Sequence, residues 1–407
     1  MRQGIVRVLA YWRAERRTIL QGFVALFIAG FGSLAAGIAL GSITGTLEAL
    51  PGLMVMVPAA IGMRGNIFGA LASRLGTSIH AGLYRPTRER EGILYQNVFA
   101  VAVLTFSVSL LLGVLAETFS VVFGVESISM IDFMVISVIG GVLSSVVVGA
   151  FTILLSRVAF RRGWDLDSVA APLVTAAGDM VTLPTLFLAT SLVGIRWVTP
   201  AIAGVAIGVT VAITIRGFLT DLPLARRVLR ESLPILAVAA SVDILAGLLI
   251  ESRLERFLVY PAFLVLIPPF LERAGALGGI LSSRLASKLH LGSLTPRGRP
   301  EPAALLDATI IFLFAVAMFT MTGIAAEVAA AILGLASPGA ATVVGVTLVS
   351  GLLATTAAVV VAYYAAVATF RLGMDPDNYG IPLITSSMDF VGVVALMLGM
   401  LAFGVGS

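Results

Sequence analysis

The chain contains no cysteine and only two histidines. Without thiols it can form no disulfide, no thiolate metal site and no cysteine nucleophile. His80 and His290 have no companion ligands recurring nearby, so they do not make a zinc site. Charge is scarce as well: acidic and basic side chains make up 12% of the 407 residues, against 59% hydrophobic residues and a mean hydropathy of +1.06. A soluble globule carries an apolar share nearer ~45–50%. The balance therefore excludes one and implies a polytopic membrane protein. The net charge of +4 is spread over loops, which reads as membrane topology in a lipid bilayer and not as nucleic-acid binding. Met1 to Arg17 is basic and amphipathic but lacks a small-residue cleavage site, so no removable signal peptide is expected. No soluble domain is expected before or after the membrane part.

What is present is a duplication. The stretch from Val57-Pro58 to Gly82 aligns without a gap on Ile267-Pro268 to Gly292, and Asp165 to Asp179 aligns on Asp375 to Asp389. The shift is 210 residues in both windows (275 − 65 and 389 − 179). One shift across distant windows means that a whole unit was copied. Boundaries expected from the repeat are 1–195 for the first copy, 196–226 for a linking helix and 227–407 for the second copy.

Apolar runs of about 20 residues, the length that crosses ~30 Å of hydrocarbon, fall near 18–45, 53–79, 93–116, 131–156, 169–194, 198–215, 232–250, 257–283, 303–331, 341–369 and 380–404. The fold class is thus an all-α membrane protein of about eleven spans, two five-helix repeats joined by one linking helix. Five is odd, so the extra crossing turns the second copy parallel to the first. Arg2, Arg7, Arg13, Arg16 and Arg17 place the N-terminus in the cytoplasm of a cell membrane, and the loops with Arg85-Arg88-Arg90, Arg157-Arg161-Arg162, Arg226-Arg227-Arg230, Arg297-Arg299 and Arg371 fall on the same side. Opposite loops hold mainly Glu48, Glu117, Glu126 and Glu327, with Arg196, Arg253 and Arg256 as exceptions. The C-terminus is then extracytoplasmic. Trp12, Trp164 and Trp197 lie near span ends, as interfacial residues do.

The chemistry concentrates on the fifth span of each copy. Pro172, Thr175 and Asp179 are spaced i, i+3, i+7 along one helical face, as are Pro382, Thr385 and Asp389. An ionised carboxylate in lipid costs at least ~2.5–3.5 kcal/mol, so these acids should face water, a partner or a cation. A divalent ion removes the repulsion between two such acids, and magnesium needs only one or two carboxylates because it keeps several waters. The bland alternative has each aspartate capping a broken helix or pairing with an arginine such as Arg64. Asp165 and Asp167, and their copies Asp375 and Asp377, stand at the start of the same spans, where they serve either as N-caps or as a cation-collecting vestibule.

The other repeated window is mostly about packing. Gly65 and Gly69, and Gly275 and Gly279, have the small-xxx-small spacing of closely packed helices. Arg74 and Arg284, near the cytoplasmic end, suit a structural role by snorkelling or by binding a neighbouring carboxylate. The copies also differ: Asn66 is matched by Ala276, Gly62 by Glu272 and Ser33 by Asp243. Asp243 and Glu272 are extra acids in predicted spans of the second copy. They line the path of an asymmetric transporter that couples two ions, or Glu272 pairs with Arg273 or Arg284.

Pro58, Gly62, Gly65 and Asn66, followed by Ala72-Ser73-Arg74-Leu75, together with the Asp-x-Asp-x4-Pro-Leu-x-Thr-x3-Asp pattern of both copies, resemble MgtE-type magnesium channels and their solute-carrier relatives. The resemblance covers nearly the whole chain. It implies that Asp179 and Asp389 line an ion path, with Mg2+ as the transported ion and no cofactor. It also implies that one chain supplies both membrane units, a pseudo-dimer without cytosolic gating domains. Ala276 and the Glu272-Arg273 pair depart from the pattern in the second copy. The expected function is divalent-cation transport, most simply of magnesium, through a pathway between the halves, by a channel or by a sodium- or proton-coupled exchanger. The chain is not expected to be an enzyme. Rival readings are a membrane-embedded magnesium enzyme acting on a lipid phosphate, which needs a nucleophile or base and usually one asymmetric site, whereas the acids here recur in both copies without a histidine or cysteine cluster, and a scaffold, which leaves the deep aspartates unexplained.

Overall fold

The computed structural model describes residues 2–85, 87, 89–162, 166–373 and 380–405. Among them there is no strand, and eleven helices are long and apolar enough to cross a membrane. In chain order the helices are α1 (Arg2–Ala14), α2 (Arg16–Ser42), α3 (Thr44–Ala49), α4 (Leu53–His80), α5 (Ile93–Phe123), α6 (Met130–Arg162) and α7 (Leu166–Thr190). They continue as α8 (Val198–Phe218), α9 (Pro223–Glu251), α10 (Leu254–Val259), α11 (Ala262–His290), α12 (Pro302–Leu333), α13 (Ala340–Leu372) and α14 (Ile381–Ala402). Proline opens α9 and α12, where its missing N–H costs no intrahelical bond. Gly124 and Gly334 close α5 and α12 in the left-handed region, φ 68° and 67°, a conformation that glycine adopts without strain.

Several spans outrun their apolar cores. The run expected at 257–283 begins at Ala262, after the separate short helix α10, and continues to His290, while the run expected at 232–250 begins at Pro223. Hydropathy stops at the first charges. The helix does not, because those charges are held: Arg284 and Lys288 of α11 bind Asp307, and Arg227 of α9 binds Glu231.

Packing divides the chain into two compact units, Met1–Gly37 with Arg256–Ser407, and Ile38–Glu255. The first unit therefore holds the first span of the first repeat together with the last four spans of the second. The second unit holds the last four spans of the first repeat, the linking helix α8 and α9, the first span of the second repeat. Two repeat-related contacts fix this exchange. A Cβ on Gly37 of α2 would lie 2.0 Å from the carbonyl oxygen of Val265 on α11, and a Cβ on Gly247 of α9 would lie 2.0 Å from that of Val55 on α4. Both pairs differ by the same 210 residues (247 − 37 and 265 − 55). Only glycine lets the two backbones come this close.

Within each unit one span is central. Buried residues make up 67% of the span window of α4 and 78% of that of α11, against 22% for α8. In the second unit α4 packs on α5, α6, α7 and α9; in the first, α11 packs on α12, α13 and α14. The linking helix is peripheral, as an added crossing would be.

Candidate ion-binding site

Each unit brings together the two repeated windows that the chain keeps about a hundred residues apart. In the second unit α4 lies against α7, so that a Cβ on Gly65 would be 3.5 Å from Thr175 Cγ2 and one on Gly69 4.0 Å from Thr175 Oγ1. In the first unit α11 lies against α14, and a Cβ on Gly275 would be 3.5 Å from Thr385 Cγ2. The glycines thus leave room for a threonine, and an aspartate follows one turn later on the same face. Asp179 is 3% exposed; Asp389 is half-buried. They lie six and seven residues into the apolar segments Leu173–Thr190 and Pro382–Ala402, or about 10 Å deep at 1.5 Å per residue. Gly279 is different, since a Cβ there would meet nothing within 4 Å.

The surroundings of the two junctions differ. In the second unit Arg64, 1% exposed, donates from Nη1 to Ser145 Oγ (3.1 Å) and from Nη2 to Ser109 Oγ (2.9 Å). Asn66, two residues on, keeps its Nδ2 buried without a hydrogen-bond partner, a polar end available to a hydrated ion or its waters. Asp243 is fully buried in α9 of the same unit. In the first unit Glu272 lies 3.4 Å from Arg273, and Arg273 also donates from Nη1 to the carbonyl of Leu26 on α2. Ala276 replaces Asn66, and Ser386 beside Thr385 has a buried hydroxyl without a hydrogen-bond partner.

The arrangement gathers Gly65, Asn66, Thr175 and Asp179 at one junction and Gly275, Thr385 and Asp389 at the other; Asp243 lies on α9 of the second unit and Glu272 on α11 of the first, three residues before Gly275. Asp165, Asp375 and Asp377 lie outside the described residues, and Asp167 begins α7 with its side chain outside them. Among the described residues no three His, Cys, Asp or Glu side chains cluster as a metal cage. An ion at either junction would meet one carboxylate with hydroxyl, carbonyl and water oxygens, a donor set suited to a hard, partly hydrated cation.

The repeat also reaches residues that the sequence did not single out. Arg74 Nε donates to Asn97 Oδ1 (2.8 Å), and its copy Arg284 donates from Nε to Asp307 Oδ1 (3.0 Å). In the first unit this contact has grown into a network. Asp307, 0% exposed, also accepts from Arg284 Nη2 (2.7 Å), Lys288 Nζ (2.6 Å) and Tyr11 Oη (2.7 Å), while Glu15 binds Arg284 (3.1 Å). Burial, reinforced by the Asp307 carboxylate, pushes the Tyr11 phenol above its ordinary value, so it remains a donor. Trp12 Nε1 donates to Thr309 Oγ1 (3.0 Å), fastening α1 to α12. A second repeated pair joins Ser127 Oγ to Glu117 (2.9 Å) and Ser337 Oγ to Glu327 (2.6 Å). The 210-residue shift applied to every polar residue could have found the pairs Arg74–Asn97 with Arg284–Asp307 and Ser127–Glu117 with Ser337–Glu327; the contacts of Tyr11, Trp12 and Glu15 have no repeated counterpart. His290 bonds the carbonyl of Ala286 and packs on Phe370, a structural end residue.

Comparison with known proteins gives the family. The MgtE family, described as a divalent cation transporter, matches residues 57–189 and 267–399. Among curated proteins the chain is 26% identical to solute carrier family 41 member 3 of Rattus norvegicus over 421 residues, covering 94% of this chain and 86% of that protein. It is 27% identical to the Mus musculus member 3 (85% and 74% covered) and 26% identical to member 2 of Xenopus laevis (93% and 71%). No solved structure matches.

Proposed function

Because the chain belongs to the MgtE family of divalent cation transporters, we propose that it carries magnesium across the membrane, with Asp179 and Asp389 as the carboxylates that the ion meets. Membership sets the enzyme reading aside. The observation that carries the proposal is the repeated junction: in each unit a Cβ on the glycine would lie 3.5 Å from a threonine, and an aspartate follows one turn inside the span. A duplicated packing motif explains the glycine and the threonine. It does not explain keeping an ionisable group at that depth in both copies, a placement that in membrane spans marks ion pathways by default.

Magnesium fits because it prefers oxygen ligands in octahedral geometry and gives up its waters reluctantly. At each junction the carboxylate and the threonine hydroxyl, joined in the second unit by Asn66, would hold it in part through retained water. The arginine-rich loops support an N-terminus in the cytoplasm of the cell membrane and a C-terminus outside, with one chain sufficient for transport. Coupling to sodium or protons is favoured over a simple channel by the unequal junctions, since Asp243, Glu272 and Arg64 have no like-charged counterpart in the other copy.

In proteoliposomes, Asp179→Ala and Asp389→Ala should each reduce magnesium flux at least tenfold while the protein still purifies as a monodisperse species. Unchanged flux in both variants defeats the assignment. Flux with and without an imposed sodium or proton gradient separates channel from exchanger.

A further inference from the structure

Arg64 is a charged side chain placed near the middle of a membrane span, about 16 Å along a helix about 42 Å long. Its guanidinium stays charged in any protein environment, yet the groups that receive it are the neutral hydroxyls of Ser109 and Ser145. The pocket is purpose-shaped. A Cβ on Gly141 of α6 would lie 2.5 Å from Arg64 Nη2 and 2.2 Å from Ser109 Oγ, and Ser145 is held in turn by Thr105 Oγ1 (3.1 Å). Arg64 also borders the candidate ion site: its Cβ lies 3.5 Å from where a Cβ on Gly178 would be, and Gly178 directly precedes Asp179.

The other copy has exchanged three side chains of this pocket together, while Thr355 keeps a hydroxyl where the first copy has Ser145 and Gly351 keeps the glycine of Gly141. Position 274 is Ala, 315 is Ala and 319 is Phe, where the first copy has Arg64, Thr105 and Ser109. Phe319 fills the space, lying 2.2 Å from a Cβ on Gly351, the counterpart of Gly141, and packing on Phe270 at 5.0 Å. A guanidinium with its hydroxyls in one unit and a phenyl ring in the other are two complete solutions to the same packing problem. The charge is therefore not required for folding at this place.

We propose that Arg64 is a fixed positive charge that weakens cation binding beside Asp179 and thereby lets a divalent ion leave; this rests on Asp179 lining the ion path. A doubly charged ion against carboxylates in a poorly screened site binds too tightly to be released, and transport needs binding strong enough to enter and weak enough to exit. A cation tethered on the neighbouring helix, with its Cβ against Gly178, supplies the opposing field. Because Coulomb energy scales with ionic charge, its effect on a divalent ion is twice, in logarithm, its effect on a monovalent one.

The test measures magnesium flux against concentration in proteoliposomes, with sodium as monovalent competitor. Arg64→Gln should lower the half-saturating magnesium concentration about fivefold and the half-inhibiting sodium concentration about twofold, without raising maximal flux. Arg64→Lys, which keeps the charge, should recover most of the wild-type value. Should Arg64→Gln not fold, the double variant Arg64→Ala/Ser109→Phe, which copies the packing of the other unit, takes its place. A tighter half-saturation in a neutral variant with recovery in lysine supports the proposal. Half-saturation that is unchanged or weaker, a lysine variant that behaves like glutamine, or failure of both neutral variants to fold overturns it. If the wild-type protein carries no divalent cation, or Asp179→Ala leaves flux intact, the underlying site assignment falls instead.

Discussion

The two units share a skeleton and differ in charge. Both place a glycine of an exchanged first span against a backbone carbonyl of the central span, both bind an arginine of that span to the start of the next helix, and both tie a loop serine to a glutamate ten residues earlier. Their ionic features diverge: Arg64, Asn97 and Asp243 in one, Glu272-Arg273 and the Asp307 network in the other. The contacts that survived duplication unchanged are those in which the backbone itself is a partner or a short hydroxyl reaches a carboxylate. Where charge was gained, its packing partners changed with it, as Ser109 and Phe319 show. Divergence of this kind builds two unequally charged surroundings on one framework.

The sharpest way to break that comparison is at the shared glycines. Gly37→Leu and Gly247→Leu should each destabilise by more than about 3 kcal/mol, above the usual ~1–3 kcal/mol for overpacking, because the obstructing atom is a backbone oxygen 2.0 Å from the new Cβ and no rotamer relieves it. Loss of monodisperse protein in detergent is the expected readout for both. Gly279→Ala, where the added atom meets nothing within 4 Å, should express and melt like the parent. A tolerant Gly247 beside an intolerant Gly37 would mean that only one of the two first spans is held this way.

The next effect should be unequal. Asp307→Ala leaves Arg284 and Lys288 without their shared carboxylate, and breaking a buried pair costs ~3–5 kcal/mol. Arg284 and Lys288 are 16% and 26% exposed, so water compensates in part and about 2–3 kcal/mol is expected. Asn97→Ala removes a single acceptor from Arg74, a hydrogen bond to a charged group worth about 1.5 kcal/mol. Apparent melting temperatures should fall in that order, and equal shifts would deny that the network stabilises the first unit more than its counterpart does the second.

Much of this was legible in the sequence. The duplication, the spans and the deep aspartates follow from a constant shift and from hydropathy, and the facing of Gly65 on Thr175 and of Gly275 on Thr385 realises two motifs written in separate windows. The exchange of α2 and α9 was not legible. Apolar residues show that a helix buries a face but not which neighbour covers it, and both copies offer nearly the same face. Arg64 read as a partner for a carboxylate, because a charge in a span suggests one; hydroxyl receptors on two other helices carry no sequence signature. Asp307 escaped notice because its repeat partner is Asn97, so the acid does not recur, and its donor Tyr11 comes from a helix almost three hundred residues away. Gly279 has the right spacing, yet spacing alone does not say that a neighbour arrives.

The smallest effect tests whether the conserved skeleton is equal in strength. Ser127→Ala and Ser337→Ala each remove a hydroxyl donor to a glutamate, and a single hydrogen bond of this kind is worth about 1 kcal/mol net. The two are not identical. Ser337 makes the shorter bond, 2.6 Å against 2.9 Å, and its oxygen also accepts from the backbone N–H of Gly339 at 3.1 Å. Removing it therefore strands two groups, the Glu327 carboxylate and an N–H at the start of α13, where a helix leaves its first donors without intrahelical partners. Ser337→Ala should cost roughly 0.5–1 kcal/mol more than Ser127→Ala, the size of one added capping contact. The two changes lie in separate units and share no partner, so the double variant should be additive within about 0.5 kcal/mol. A double-variant melting curve that departs from the sum would show that the loops after α5 and α12 are energetically coupled, and the two units would then have to be treated as one cooperative body.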